Sequence, residues 1–143
     1  MKDHLERYLK DGKDGHLFDT LHLGGRVDTT TLVIKTIGRK SGNPLLTPLI
    51  YVKYGEEYAI AASKGGADEH PAWYLNLTSR PELRFKVVDD IFEGTWRQVE
   101  GAERAEVYQA LSAHYPPYVD YANKAKREIP VILLKPARKV DAL

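Results

Sequence analysis

An α+β domain whose antiparallel strands close into a small barrel is the fold class this sequence predicts. Two short turns in succession, Gly38 to Pro44 and Gly55-Glu56, join three strand-like stretches into consecutive hairpins, which argues against a βαβ alternation. Helical patterns come mainly late in the chain, after the strands have been laid down. About six strands in one compact chain hide their edges best by closing on themselves.

Taken in order, residues 1–28 are polar, with glycines around a short Leu17, Phe18, Leu21, Leu23 group, and predict a short helix followed by an irregular lead-in. Thr29 to Ile37 is dominated by β-branched residues, which fit a pleated strand, and Gly38 ends it. Gly38-Arg39-Lys40-Ser41-Gly42-Asn43-Pro44 is a turn in which glycine permits positive φ and proline fixes re-entry. A second strand, Leu45 to Tyr54, and a third, Tyr58 to Ser63, complete an expected three-strand meander.

His70-Pro71 opens a short helix through Trp73, Tyr74 and Leu77 that must stop before Pro81. Leu83 to Val88 and Ile91 to Val99 form a further hairpin turning at Asp89-Asp90, with Phe85, Val87, Phe92 and Trp96 as core candidates. From Glu103 a helix carries Val107, Leu111 and Tyr115 on one face until Pro116-Pro117 interrupts it. Tyr118, Tyr121, Ala122 and Ala125 mark a second helical piece, and Pro130 to Pro136 is a terminal strand bracketed by prolines.

The 143 residues are 43% hydrophobic and 29% charged, an ordinary composition for a single globular domain. A net charge of +1 offers no general field for nucleic acid, so any basic site is local. With no cysteine, disulfides, thiolate metal clusters and a cysteine nucleophile are excluded, and the five scattered histidines have no zinc-binding spacing, so no metal is expected. The charged start and the lack of a long apolar run predict a cytoplasmic protein without membrane insertion.

Four constellations could carry chemistry. Gly38-Arg39-Lys40-Ser41-Gly42 combines mobile backbone, two cations and a hydroxyl, the ingredients of a phosphate cradle, though its spacing is not that of a P-loop and a solvated basic turn is the ordinary alternative. Ala61-Ala62-Ser63-Lys64-Gly65-Gly66-Ala67 runs a strand of small side chains into glycines that let a flat ligand approach the backbone; a plain strand-to-helix connection reads equally well. Trp73-Tyr74 is more often core than ligand wall. Nine tyrosines against three phenylalanines, with Tyr115-Pro116-Pro117-Tyr118 held stiffly by proline, suit a pocket for a planar substrate, or simply an amphipathic cover for the barrel. No nucleophile or carboxylate pair is marked by spacing, so an enzyme of this sequence needs a cofactor to carry its reaction.

Thr36 to Gly42, Thr47-Pro48-Leu49-Ile50-Tyr51, Ala62 to Ala67, His70-Pro71-Ala72-Trp73-Tyr74-Leu75-Asn76-Leu77, Tyr115 to Tyr121 and Ile129-Pro130-Val131 together resemble the deazaflavin-dependent nitroreductase family of actinobacteria. The resemblance implies one domain, residues 1–143, with a helix and lid over 1–28 and a split β-barrel of the flavin-binding type over 29–143. It implies hydride transfer from reduced coenzyme F-420, an 8-hydroxy-5-deazaflavin with an anionic tail, to a quinone, nitroaromatic or enone. By that likeness Gly38, Arg39, Lys40, Ser41 and Gly42 hold the phosphate and tail. Pro48, Ser63, Lys64, Gly65, Gly66, Ala67 and Trp73 surround the ring, and Tyr115, Tyr118 and Tyr121 serve the substrate pocket. Three positions depart from the pattern: Leu45 and Leu46 follow Pro44 where many relatives carry a basic residue, and Ile50 stands where some nitroimidazole-reducing relatives carry tyrosine. An FMN-binding split-barrel oxidoreductase and a non-catalytic coenzyme or lipid carrier are the competing readings. A monomer or a homodimer is expected.

Overall fold

The computed structural model describes residues 2–143, leaving only Met1 of the expected N-terminal segment outside the described residues. The chain forms α1 (Lys2–Lys10), α2 (Gly12–His16), β1 (Leu17–Phe18), β2 (Thr29–Ile37), β3 (Pro44–Ile50), β4 (Val52–Tyr54), β5 (Glu57–Ala61), α3 (Ala72–Ser79), β6 (Arg84–Val87), β7 (Asp90–Gln98), α4 (Gly101–His114), α5 (Pro117–Lys124) and β8 (Val131–Val140). Short 3-10 turns occupy Leu21–Leu23 and Lys64–Gly66.

All strand pairs are antiparallel. The path β2-β6-β7-β8-β5-β4 is completed by β3, which pairs with β2 from Thr31↔Ile50 to Ile37↔Pro44. Because β3 runs directly into β4 through Tyr51, chain continuity joins the two ends of the path and the curled sheet forms a split barrel, with β3 paired on one edge only. This is the expected barrel, with eight strands rather than about six because β1 and β4 are short extra pieces.

Three expectations are corrected. The stretch Leu45 to Tyr54 is not one strand: Tyr51 N–H donates to the Thr30 carbonyl at 3.1 Å and Thr30 Oγ1 donates to the Tyr51 carbonyl at 2.7 Å, pinning a bend after which the chain leaves β2. The three-strand meander is therefore broken, and β5 pairs with β4 and β8 instead of β3. The last strand does not stop at Pro136 but continues to Val140. Pro136 lies opposite Gly94 where the register shifts between Glu93 and Gly94, a place where the missing proline N–H costs no ladder bond.

Period-2 alternation on β5 and β8 builds two cores. Ile60, Ile132 and Leu134 point into the barrel with Leu32, Ile34 and Phe85. Ala59, Ala61, Val131 and Leu133 face outward and are covered by Val107 and Leu111 of α4. With both faces buried, β8 opens on the unbroken apolar run Val131 to Leu134. Each fully buried side chain of this size contributes roughly 1.5–3 kcal/mol.

The two helices of the N-terminal segment dock closely on the barrel. Tyr8 is fully buried and its hydroxyl donates to the Thr31 carbonyl at 2.8 Å while accepting from Val88 N–H at 2.8 Å. Lys86 reaches back from β6 to the carbonyls of Tyr8 at 3.2 Å and Leu9 at 3.4 Å, where a cation suits the C-terminal end of α1. A Cβ at Gly12 would run into the Val88 carbonyl and one at Gly15 into Tyr8, so both glycines are required for this close docking.

Candidate functional site

A cavity of ≈ 340 Å³ lies where the end of β3, the loop after β5, α3, the α4–α5 junction and the N-terminal segment meet. Pro48 and Ile50 reach it from β3, Trp73 from α3, and Ser63, Lys64 and Gly65 from the loop. Tyr115, Tyr118 and Tyr121 form its opposite side, and His4, Phe18 and Leu23 close it from the N-terminal segment.

The loop is built on left-handed backbone. Lys64, Gly65 and Gly66 have φ of 48°, 64° and 82° in succession, a path for which glycine is suited and lysine is strained by about 1–2 kcal/mol. Gly66 N–H bonds to the Ser63 carbonyl at 2.9 Å and Ala67 N–H to the Lys64 carbonyl at 3.2 Å. The N–H groups of Ser63, Lys64 and Gly65, three residues that line the cavity, have no acceptor among the described residues, which leaves them available to a ligand. Gly66 and Ala67 do not line the cavity, and a Cβ on Gly66 would press against the backbone of Tyr121.

The tyrosines are held by the proline break. Tyr115 N–H closes α4 on the Leu111 carbonyl at 2.8 Å, Pro116 and Pro117 start α5, and Tyr118 N–H returns to the Tyr115 carbonyl at 3.1 Å. The Tyr108 hydroxyl donates to the Tyr118 carbonyl at 2.6 Å, fixing that residue's backbone. The Tyr115 and Tyr121 hydroxyls pair at 3.2 Å, and the Tyr118 ring stands edge-on to Tyr115 with centroids 5.0 Å apart. The hydroxyl of Tyr118, a residue 5% exposed, has no partner among the described residues. Burial pushes the Tyr115 and Tyr118 phenols up from their ordinary value, so both stay protonated donors and neither is a base at neutral pH.

On the N-terminal side, His4 is stacked on Phe18 with centroids 4.2 Å apart and bonds to the Gly15 carbonyl at 2.8 Å. Burial holds His4 below the usual imidazole value, which makes it a neutral donor here.

The structure does not bring the basic turn into the cavity wall. Residues 38–42 are at the far end of the β2–β3 hairpin, where Gly38 N–H bonds the Asn43 carbonyl at 2.7 Å. Buried Asn76 of α3 holds the turn, its Oδ1 accepting from Arg39 N–H and Arg39 Nη1, each at 3.1 Å. Ser41 Oγ accepts from Asn43 N–H at 3.1 Å and so serves the turn itself. Lys40 is exposed, and Arg80 sits beside Gly42, giving a basic patch of Arg39, Lys40 and Arg80 outside the cavity.

Sequence reasoning missed His4, Phe18, Asn76 and Arg127, whose guanidinium holds the loop from behind. Asn76 stands within the His70 to Leu77 motif, but nothing in the sequence marks the role of any of the four, because their places depend on how the N-terminal segment docks and on contacts between residues far apart in sequence.

A model of the F420H(2)-dependent quinone reductase family matches residues 12–136. The chain belongs to this family. It is 33% identical over 107 residues to the F420H(2)-dependent quinone reductase Rv1261c of Mycobacterium tuberculosis, covering 73% of this chain and 72% of that protein. A solved F420-H2 dependent reductase (FDR-A) superposes with a TM-score of 0.68 at 33% identity, covering 84% of this chain and 98% of that one. A second structure, described as a domain-swapped dimer, superposes with a TM-score of 0.70 at 33% identity, over 94% of this chain and 96% of that one. The split-barrel fold and the resemblance are thereby established, and the quinone reductase family is one of oxidoreductases that use reduced coenzyme F-420.

The residues present fit that group. A flat ring needs flat walls, which Pro48 and Trp73 offer, and its carbonyl-rich edge needs donors, which the free amides of Ser63, Lys64 and Gly65 offer. An ideal Cβ on Gly65 meets no atom within 4 Å, so the backbone there is open to close approach. At ≈ 340 Å³ the cavity is at the small end of the roughly 300–1,000 Å³ of ligand sites, and a long anionic tail must leave it.

Proposed function

We propose that this quinone reductase family member moves a hydride from reduced coenzyme F-420 to a quinone, and also to nitroaromatic and enone acceptors, within the cavity between the Ser63–Gly65 loop and the tyrosines of α5. The observation that carries the reading is that one cavity is lined both by three residues whose backbone amides have no acceptor among the described residues and by Tyr118, whose hydroxyl has no protein partner there. When bound, the reduced deazaflavin supplies the hydride from its C5 carbon.

The chain's own residues bind, orient and exclude water. The amides of Ser63, Lys64 and Gly65 hold the carbonyl edge of the ring, with Pro48 and Trp73 as its walls. Tyr118 donates to the acceptor oxygen on which negative charge grows, a role that asks for a phenol which keeps its proton. Tyr115 and Tyr121 share one hydrogen bond and leave the other hydroxyl proton free as a second donor to the acceptor. Phe18 and Leu23 keep solvent from that side. Outside the cavity Arg39, Lys40 and Gly42, with Arg80 beside them, receive the anionic tail, and Gly38, Ser41, Gly66 and Ala67 shape the two turns without touching the ring.

The acceptor is a small molecule, and the site is assembled within one chain, so either a monomer or a homodimer could work. Among the described residues no helix is long and apolar enough to cross a membrane, and we assign the protein to the cytoplasm by its likeness to the family. The test is the oxidation of reduced coenzyme F-420 by purified protein with menadione, a nitroaromatic and a cyclic enone in parallel. Turnover with menadione supports the reading, and turnover with the other two supports its wider form. Tight coenzyme binding with no turnover on any acceptor would instead make the protein a coenzyme carrier.

A further inference from the structure

One side chain holds the carbonyls of two of the three peptide units that carry the free amides, sharing the Ser63 carbonyl with Gly66 N–H. Arg127, between α5 and β8, donates from Nη2 to the carbonyls of Ala62 at 3.2 Å, Ser63 at 3.1 Å and Glu69 at 2.8 Å, and from Nε to the carbonyl of Ala67 at 3.1 Å. Its Nη1 meets His70 Nδ1 at 3.1 Å, and burial together with the neighbouring guanidinium holds His70 below its usual value, so that nitrogen is an acceptor. No carboxylate pairs with Arg127 among the described residues, and it does not line the cavity.

In a trans peptide the carbonyl and the N–H of one unit point in opposite directions, and no peptide bond here is cis. The Ala62 carbonyl shares its unit with Ser63 N–H, and the Ser63 carbonyl shares its unit with Lys64 N–H. Drawing both carbonyls onto Arg127 therefore turns both N–H groups to the other side, where Ser63 and Lys64 line the cavity. Hydrogen bonding to a cation also polarises each peptide unit and strengthens its N–H as a donor.

We propose that Arg127 is the positioning residue of the ring-binding site: it orients and polarises the Ser63 and Lys64 amides toward the electron-rich carbonyl edge of the bound coenzyme. The inference rests on the deazaflavin reading. Lysine cannot replace it, because a point charge with three donors does not span carbonyls from Ala62 to Glu69.

The experiment titrates oxidised coenzyme F-420 into the wild type, Arg127→Lys, Arg127→Met and Arg97→Met by fluorescence. Arg97 bonds Glu57 and Glu103 away from the cavity, so its variant controls for simple destabilisation. The expected result is a Kd raised about tenfold or more in both Arg127 variants and unchanged in Arg97→Met, with KM for menadione at saturating coenzyme unmoved. In ligand-free protein the Ser63 and Lys64 amide resonances shift in Arg127→Met and not in Arg97→Met. Wild-type binding with folded Arg127 variants of equal affinity overturns this inference alone. Failure of the wild type to bind the coenzyme overturns the deazaflavin reading and the inference with it.

Discussion

Replacing Gly65 and Gly66 separately by alanine divides binding from stability. Both have positive φ, at 64° and 82°, where alanine costs about 1–2 kcal/mol whatever the surroundings. At Gly65 nothing further is lost, since an added methyl meets no atom within 4 Å. At Gly66 the methyl lies 3.0 Å from the Tyr121 α-carbon and 3.1 Å from its carbonyl oxygen, backbone that cannot swing aside, and overpacking adds about 1–3 kcal/mol. For a chain of this size these figures correspond to Tm losses of about 5 °C for Gly65→Ala and about 10 °C for Gly66→Ala. Binding runs differently. The Gly65 methyl intrudes where the ring approaches the backbone, so the milder variant loses coenzyme affinity, measured by fluorescence titration below both melting temperatures. A Gly65→Ala protein that binds like wild type, or one that melts as low as Gly66→Ala, would refute the placement of the ring against this loop.

Tyr118→Phe should slow hydride transfer about 100-fold in stopped-flow oxidation of the reduced coenzyme. It should leave coenzyme affinity and Tm unchanged, because the hydroxyl has no protein partner among the described residues. His4, His16, His70 and His114 are all held below the usual imidazole value, chiefly by burial, so the unfolded chain takes up protons first. Stability is then full above about pH 6.5 and falls as pH drops through the lowered folded values, which urea midpoints at about pH 7.5 and about pH 5.5 will show. Lys40→Ala, at an exposed site, should weaken coenzyme binding and flatten its salt dependence without moving Tm; equal salt slopes would remove the turn from tail binding.

Local chemistry made much of this fold legible. The β-branched run gave β2 its observed bounds, Thr29 to Ile37, and Pro81 stopped α3 in time. The bend at Tyr51 was hidden because it depends on Thr30, a residue on another strand that offers no sign of its role in sequence. Pro136 looked like a terminator because its partner across the ladder, Gly94, could be known only once the register was known. At the site, the glycines of the loop and the prolines of Tyr115 to Tyr118 announced themselves by residue type. Arg127 and Asn76 did not, since each works through side-chain bonds to backbone that is distant in sequence.

The central claim is that the cavity walled by Trp73 receives a deazaflavin ring. Trp73 lines that cavity, while Trp96 lies in a separate groove but packs against the same core, so the share of the quenching that belongs to the site is read by comparison with a Trp73→Phe protein that keeps Trp96. Wild-type protein and Trp73→Phe should be titrated side by side with oxidised coenzyme F-420 and with FMN. The deazaflavin reading predicts saturable quenching by the deazaflavin alone, with a clearly smaller amplitude in Trp73→Phe while cofactor fluorescence still reports binding. Saturation by FMN alone, or quenching of equal amplitude with and without Trp73, would contradict it.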